Sequence, residues 1–358
     1  MRILFALAGL HRVDRGAEIA FMSVASQLAR QGDEVTLIGS GPQRPDREYR
    51  YISAPVIARE RFERWPSLPM FRNETGWEDA SFVPGLLRAY RPSDYDVTLT
   101  CAFPWTNLAL RRPGAPPHVF VTQNGDWPAF SGKSEYRLFG CDGLVCINPE
   151  YFERNRDKYR SALIPNGVDT ARFTPGAAER ERFGLPANGR IVLMVSAMIA
   201  SKNIDEAIHA VALLPKATLV VAGDGPERDA LRALAEEKLP GRFKQVSVPS
   251  AEMPLLYRSA DAFLHLSRDE SFGNVFVEAM ACGTPVVAYD LPRTRWILGD
   301  QGCLAAEQTP QALAAELEVA MAGKSGLSEG LVERASSFDW SSIAGQYREF
   351  LQHVVARA

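Results

Sequence analysis

The sequence predicts an α/β fold made of two doubly wound parallel sheets, and three observations predict it. The 358 residues, 46% of them hydrophobic, suffice for two domains of ordinary size, each with its own core. Short apolar runs bounded by turn residues alternate with segments of helical spacing in both halves of the chain. Several of those runs end in polar loops containing glycine, the place where such sheets hold their ligands.

In chain order, Met1 to Leu10 reads as a first buried strand. His11, Arg12 and Asp14 break its apolar run too soon for a signal peptide. Ala17, Phe21, Val24 and Leu28 then recur at helical spacing, the helix stops near Gln31-Gly32, and Glu34 to Gly39 forms a second strand. This is a parallel crossover unit, in whose first loop Gly9 and Gly16 would let backbone come close to a ligand. No G-x-G-x-x-G follows the strand, which argues against a dinucleotide fingerprint. From Gly41 to Arg91 the pattern is irregular and rich in proline. It carries the basic aromatic segment Arg59 to Pro66, followed by Phe71 and Arg72, which suits an amphipathic piece packed on its own domain, or a contact for anionic lipid headgroups or an acceptor. Val97 to Thr100 and Val119 to Thr122 are further strands, the second ending in Gln123-Asn124-Gly125-Asp126. Gly143 to Ile147 and Ala162 to Ile164 close the first half.

Ile164 to Pro175 is punctuated by proline and Asn-Gly and leads into a polar segment ending near Gly189, so it is expected as the interdomain linker. The second half restarts the same logic. Strands at Ile191 to Val195, Ala217 to Ala222 and Ala262 to Leu266 alternate with helices at Asp205 to Leu213 and Glu227 to Glu237. The loops Gly223-Asp224-Gly225-Pro226 and Asp269 to Asn274 fall on one edge of that sheet. Ser267 to Ala288 reads as strand end, polar loop, helix, turn and strand, with Ser271 or Asn274 as the expected helix cap. A helix start there makes an anion site, unless the stretch is an ordinary surface loop before a core helix. Glu270 in the loop and Glu278 in the helix stand about two turns apart and would address different parts of one ligand. Helices at Pro310 to Ala322, at about 327 to 337 and at Trp340 to Val355 complete the chain.

A formal charge of -3 gives no reason to expect nucleic acid as a partner. Five cysteines without a C-x-x-C pair suit buried thiols in a reducing, cytoplasmic compartment, with no metal. No apolar run approaches the roughly 20 residues of a membrane helix, so any membrane association is expected to be peripheral, at the inner face.

Four blocks occur in one order: Pro165-Asn166-Gly167-Val168-Asp169 with Phe173 and Pro175; Lys202 after a strand; Ala222 to Glu227; and Ser267 to Ala288 with its two glutamates. Together they resemble glycosyltransferase family 4, the retaining nucleotide-sugar transferases of group 1 type and GT-B fold. The resemblance covers nearly the whole chain. It implies two Rossmann-like domains facing across a cleft: an acceptor domain at 1–165, a linker at 166–188 and a donor domain at 189–339, with the last helix, 340–358, packing back on the first. It further implies that Glu270 sits near the donor sugar hydroxyls and Lys202 at the diphosphate leaving group, the two as catalytic residues. Glu278 would bind the ribose. Ser271, Phe272, Gly273, Asn274 and Val275 would present backbone N–H groups to the donor, with Gly223 and Gly225 beside them, and Gly16, Gln123, Asn124 and Asp126 would lie on the acceptor side.

Three positions depart from the family pattern. Ala197 stands where an arginine usually accompanies the lysine, Gln123-Asn124 replace a histidine at a strand end, and Asp290-Leu291-Pro292 replace a glycine pair. His118 sits at the start of its strand, away from the ligand edge, and Arg268 is a candidate to replace the missing arginine. The implied activity is retaining transfer of a hexose from a nucleotide diphosphate sugar, uridine favoured over guanosine, to a glycan, lipid-linked or small-molecule acceptor. No cofactor or metal is implied, and Asp126 is a candidate base by position only. The rival readings are a nucleotide-sugar-binding module without transferase activity and another GT-B enzyme such as a nucleotide-sugar epimerase.

Overall fold

The apolar runs become two separate parallel sheets. In the computed structural model, which describes residues 1–125 and 140–357, the chain divides into one unit of Met1–Asn166 with Trp340–Ala358 and a second of Gly167–Asp339.

The first unit carries seven strands: β1 (Arg2–Ala6), β2 (Glu34–Gly39), β3 (Arg50–Ser53), β4 (Val97–Thr100), β5 (His118–Val121), β6 (Gly143–Cys146) and β7 (Ser161–Leu163). Their order is β3-β2-β1-β4-β5-β6-β7, so the winding reverses between β1 and β4. Phe5 of the central strand pairs with Leu37 on one side and Leu99 on the other, and its neighbours are buried on both faces, as in a sheet covered twice. Helices α1 (Gly16–Arg30), α2 (Glu74–Ala89), α3 (Trp105–Leu110) and α4 (Pro149–Asn155) belong to this unit.

The sequence pattern hides α2. Pro84 lies inside it, while Gly85 is small because an added Cβ would come within 2.7 Å of Pro55. Its start is set by the Asn73 side chain, which accepts from Gly76 N at 3.1 Å.

The second unit carries β8 (Arg190–Val195), β9 (Ala217–Ala222), β10 (Phe243–Val246), β11 (Ala262–His265), β12 (Val286–Tyr289) and β13 (Cys303–Ala305), in the order β10-β9-β8-β11-β12-β13. Its helices are α5 (Ile204–Ala212), α6 (Arg228–Lys238), α7 (Met253–Arg258), α8 (Asn274–Ala281), α9 (Pro292–Leu298), α10 (Pro310–Ala322) and α11 (Lys324–Ser336). Val192, Met194, Leu219 and Leu264 from the sheet meet Ile204, Ile208, Leu313 and Leu317 from α5 and α10 in one core. Each such side chain contributes about 1.5–3 kcal/mol by leaving water.

The last helix, α12 (Trp340–Val355), packs on α1 in the first unit. It buries Ile343, Tyr347, Phe350, Leu351 and Val354, and Arg348 reaches Asp33 at 3.1 Å. Gly143 makes room for it: a Cβ there would lie 2.7 Å from Val354 and 3.1 Å from the Phe350 ring.

Residues 167–188 are not a separate linker, because they are built into the second unit. Val168 N donates to Phe338 O at 2.8 Å, Phe173 packs edge-on against Tyr257, and Arg258 donates to Thr174 at 2.6 and 2.8 Å. Proline and Asn-Gly prevent regular secondary structure there without preventing tertiary contact.

Candidate functional site

In the second sheet the winding reverses between β8 and β11, and a crevice opens at the carboxyl ends of strands where such a reversal occurs. The loops after these two strands carry Lys202 and Glu270. A tight turn at Ala200–Lys202 follows β8 and ends at Asn203, whose left-handed φ of 51° and side-chain donation to Leu266 O (2.8 Å) tie it to the end of β11. Lys202 Nζ contacts Glu270 Oε1, and His265 Nε2 lies 3.3 Å from the same oxygen. Burial by itself would raise the Glu270 pKa. The adjacent His265 and Lys202 more than reverse this and hold it at about 2. Glu270 is therefore a fixed anion that accepts hydrogen bonds.

Two arginines border this pair in different ways. Arg268 turns away, donating to Glu206 at 2.8 and 3.1 Å and to Gln308 at 2.8 Å, so it does not take the place left by Ala197, which is exposed. Arg293 of α9 is buried and donates to the carbonyls of Glu270 (2.5 Å) and Arg268 (3.1 Å). Apart from the missing glycine pair, no local pattern marks it. His265 hid inside an apolar strand run, where a lone polar residue was the only signal.

The helix after this loop begins at Asn274, and its cap is neither Ser271 nor Asn274 but Gly273, with φ 90° and no side chain capping it. A positive φ there favours glycine, and a Cβ would press on the Phe276 ring at 2.8 Å. Phe272 is buried, its ring packed in the core against Trp296 and Phe338. Ser271, Gly273, Asn274 and Val275 are half-buried around the helix start, whose dipole is positive. Glu278 lies on the helix in a separate environment and accepts from Tyr257 Oη at 2.8 Å. The residue is half-buried, and burial raises its pKa to about 7 against the opposing effects of Tyr257 and Arg172.

The loop after β9 is fastened to the loop after β8. Met198 N donates to Asp224 O at 3.0 Å and Glu227 N to Met198 O at 3.1 Å. Gly223 and Gly225 are small for this reason, since a Cβ would stand 2.0 Å from Ser196 O at the first and 2.4 Å from Met198 O at the second. These glycines set the shape of the loop that carries Lys202.

In the first unit, Gly16 opens α1, and two residues on Glu18 folds back over Gly9, where an added Cβ would meet its carboxylate at 1.9 Å. Glu18 is buried, and burial holds its pKa above the usual carboxylate range. Its place in the first turn of α1 gives no local sign of this burial. Gln123 and Asn166 form a reciprocal amide pair at 2.6 and 3.0 Å, so the Gln123 side chain is engaged. Asn124 is exposed next to it, and Asp126 lies outside the described residues. His118 is buried at the far end of β5 between Thr98 Oγ1 (2.8 Å) and Asn107 Nδ2 (3.2 Å), and burial lowers its pKa to about 3. The basic aromatic segment clusters its rings, Trp65 and Phe71 packing on Trp77, and leaves Trp65 52% exposed beside Arg61 and Arg64.

Among the described residues, no group of three or more His, Cys, Asp or Glu side chains is placed to hold a metal ion, and no helix is long and apolar enough to cross a membrane.

Comparison with known proteins bears on the whole chain. Residues 177–337 match the family model of glycosyl transferases group 1, and residues 15–172 match that of Glycosyltransferase Family 4. The D-inositol 3-phosphate glycosyltransferase of Mycolicibacterium gilvum is 30% identical over 91% of this chain and 82% of its own length. The lipopolysaccharide core biosynthesis glycosyltransferase LpsE of Rhizobium meliloti is 30% identical over 80% and 79%. Among solved structures, sucrose-phosphate synthase from Thermosynechococcus elongatus superposes with a TM-score of 0.81 at 23% identity over 100% of both chains. Anabaena HepE in complex with UDP-glucose does so at 0.73 and 21% over 99% and 100%, a likeness of fold. The chain is a glycosyltransferase of GT-B fold, a member of the group 1, family 4 glycosyltransferases.

Proposed function

We propose that this enzyme transfers a hexose from a uridine diphosphate sugar, with retention of anomeric configuration and without a metal ion, to a hydroxyl of a glycan, lipid-linked or small-molecule acceptor. The observation that carries the reading is the meeting of Lys202 with Glu270 beside the start of α8, with Glu278 further along that helix. Lysine has three donor hydrogens, so Lys202 can keep Glu270 and turn another N–H to the diphosphate, whose charge grows as the glycosidic bond breaks. The N-terminal end of α8 adds its dipole. Glu270, ionised at all working pH values, accepts hydrogen bonds from sugar hydroxyls, and Glu278 accepts from the ribose.

Because Glu270 is engaged by Lys202 and His265, it suits positioning better than nucleophilic attack. Front-face transfer fits: the bond from the anomeric carbon to the phosphate oxygen breaks, the bond to the acceptor oxygen forms, and the acceptor proton passes to the departing phosphate. The names of the relatives, acting on an inositol phosphate or in lipopolysaccharide core biosynthesis, support an acceptor of that kind, and the neighbour bound to UDP-glucose supports the donor. Trp65 and Leu68, exposed near Arg61 and Arg64, would serve peripheral contact with a lipid surface in a cytoplasmic enzyme.

The test is turnover of labelled UDP-glucose, UDP-N-acetylglucosamine and GDP-mannose, with and without D-inositol 3-phosphate or lipid-linked glycans and with chelator present. Release of UDP and an NMR-assigned retained linkage are expected. Tight nucleotide binding with neither hydrolysis nor transfer would identify a binding module instead, and a rearranged sugar nucleotide formed without acceptor would identify an epimerase.

A further inference from the structure

We infer that Arg293 is a positioning residue which supplies positive charge to the donor-phosphate site through the peptide groups that lead into α8. This rests on the donor site proposed above.

Arg293 is 4% exposed and lies in the first turn of α9, where the helix dipole is itself positive and disfavours a cation. Its guanidinium is a cation with five N–H donors and no acceptor. Among the described residues it forms no ion pair with a carboxylate, and its buried Nε has no hydrogen-bond partner. Its partners are two carbonyl oxygens, of Glu270 at 2.5 Å and Arg268 at 3.1 Å.

Other arginines of this unit are placed differently. Arg268 has Glu206, and Arg180 has Asp261 at 2.6 Å. Arg334 also donates to carbonyls, but to those of Trp296 and Ile297 near the end of α9, where the helix dipole is negative, and it keeps some exposure to water. Arg293 has neither a carboxylate, nor a favourable dipole, nor solvent. A buried charge in that position is costly unless an opposite charge completes it.

The geometry shows where that charge would come from. In a trans peptide the N–H points away from the C=O, so the groups accepting from Arg293 turn the N–H of Asp269 and of Ser271 away from it. A guanidinium on the carbonyl side polarises each peptide group and strengthens its N–H as a donor. The charge is thereby relayed across the loop that bears Glu270, toward the start of α8. With Ala197 uncharged and Arg268 held by Glu206, Arg293 and Lys202 are, among the described residues, the cations joined to this loop. The chemical class that completes the arrangement is a nucleoside diphosphate.

Calorimetric titration of UDP and UMP into the wild-type protein, Arg293→Gln and Arg293→Lys at two salt concentrations tests this, with Glu278→Ala as a marker of the donor site. Arg293→Gln keeps N–H donors for the carbonyls but no charge. It is expected to weaken UDP by roughly tenfold, UMP by much less, and to flatten the salt dependence of UDP affinity, while Arg293→Lys restores most of the loss. An unchanged ratio of UDP to UMP affinity, or a lysine variant no better than glutamine, would show a structural role and overturn the inference. Should the glutamine variant not fold, Arg293→Met, which removes the charge and keeps an apolar stem, carries the test through the same ratio: a larger loss for UDP than for UMP supports the relay and an equal one refutes it. If the wild-type protein binds none of UDP, GDP, ADP and dTDP, the donor-site reading fails and this inference with it. If Glu278→Ala weakens UDP and Arg293→Gln does not, the donor site stands and the inference alone fails.

Discussion

Replacing Glu278 by glutamine isolates the energetic consequence of keeping a carboxyl group inside the second unit. Glu278 titrates near 7 in the folded chain, against an ordinary value of 4.5, chiefly because burial disfavours its charged form, with the Tyr257 hydrogen bond and the Arg172 charge opposing. The folded state thus holds this proton more tightly than the unfolded state. Stability is highest below about 4.5, falls as pH rises to about 7 and is level above it. At ~1.4 kcal/mol per pH unit, the gap between the two values amounts to about 3 kcal/mol, less whatever contact with solvent recovers. Glutamine keeps the shape and an oxygen to accept from Tyr257, but it cannot ionise. Urea unfolding at pH 5 and pH 8 should show Glu278→Gln close to wild type at the first and more stable by about 2–3 kcal/mol at the second, with an unchanged denaturant slope. The same variant should bind UDP-glucose roughly tenfold or more weakly, since a charged acceptor is replaced by a neutral one. Wild-type affinity should rise with pH through 7, and the variant's should not. A stability difference that is the same at both pH values would refute the account.

Two further substitutions probe the site and its support. Lys202→Ala removes the ion pair on Glu270, so its carboxyl should rise from about 2 and acid unfolding followed by circular dichroism should begin at higher pH, because a depressed pKa gives stability that is lost as pH falls through it. Donor affinity should drop by roughly tenfold but stay measurable by calorimetry, and complete loss would assign the diphosphate to Lys202 alone. Gly143→Val puts a side chain where Val354 and Phe350 already pack, and it should destabilise by about 1–3 kcal/mol with faster amide exchange in 340–355.

The strands and helices that are apolar in a regular period were legible in the chain, from β1 at Arg2–Ala6 to α12 at Trp340–Val355. What was not legible shares one cause: its pattern is set by neighbours far along the chain. Pro84 inside α2 breaks a local rule, and β10 is a half-buried edge strand with Lys244 and Gln245 in it. The expected linker looked unstructured because Pro165 and Asn166-Gly167 prevent helix and strand, while its contacts with Tyr257, Arg258 and Phe338 cannot be read locally.

For the site the division is similar. Local pattern is enough to place a helix start after a buried strand, with Glu270 before it and Glu278 within it, because alternating apolar runs and glycine loops leave few other arrangements. Which groups surround those carboxylates was decided by tertiary structure, through parallel strands that bring distant loops to one edge. It set Lys202 and His265 on Glu270, Tyr257 on Glu278, Arg268 on Glu206, and Arg293 beneath the loop. Two glutamates eight positions apart therefore titrate near 2 and near 7, and their charge depends on neighbours that no spacing along the chain reveals.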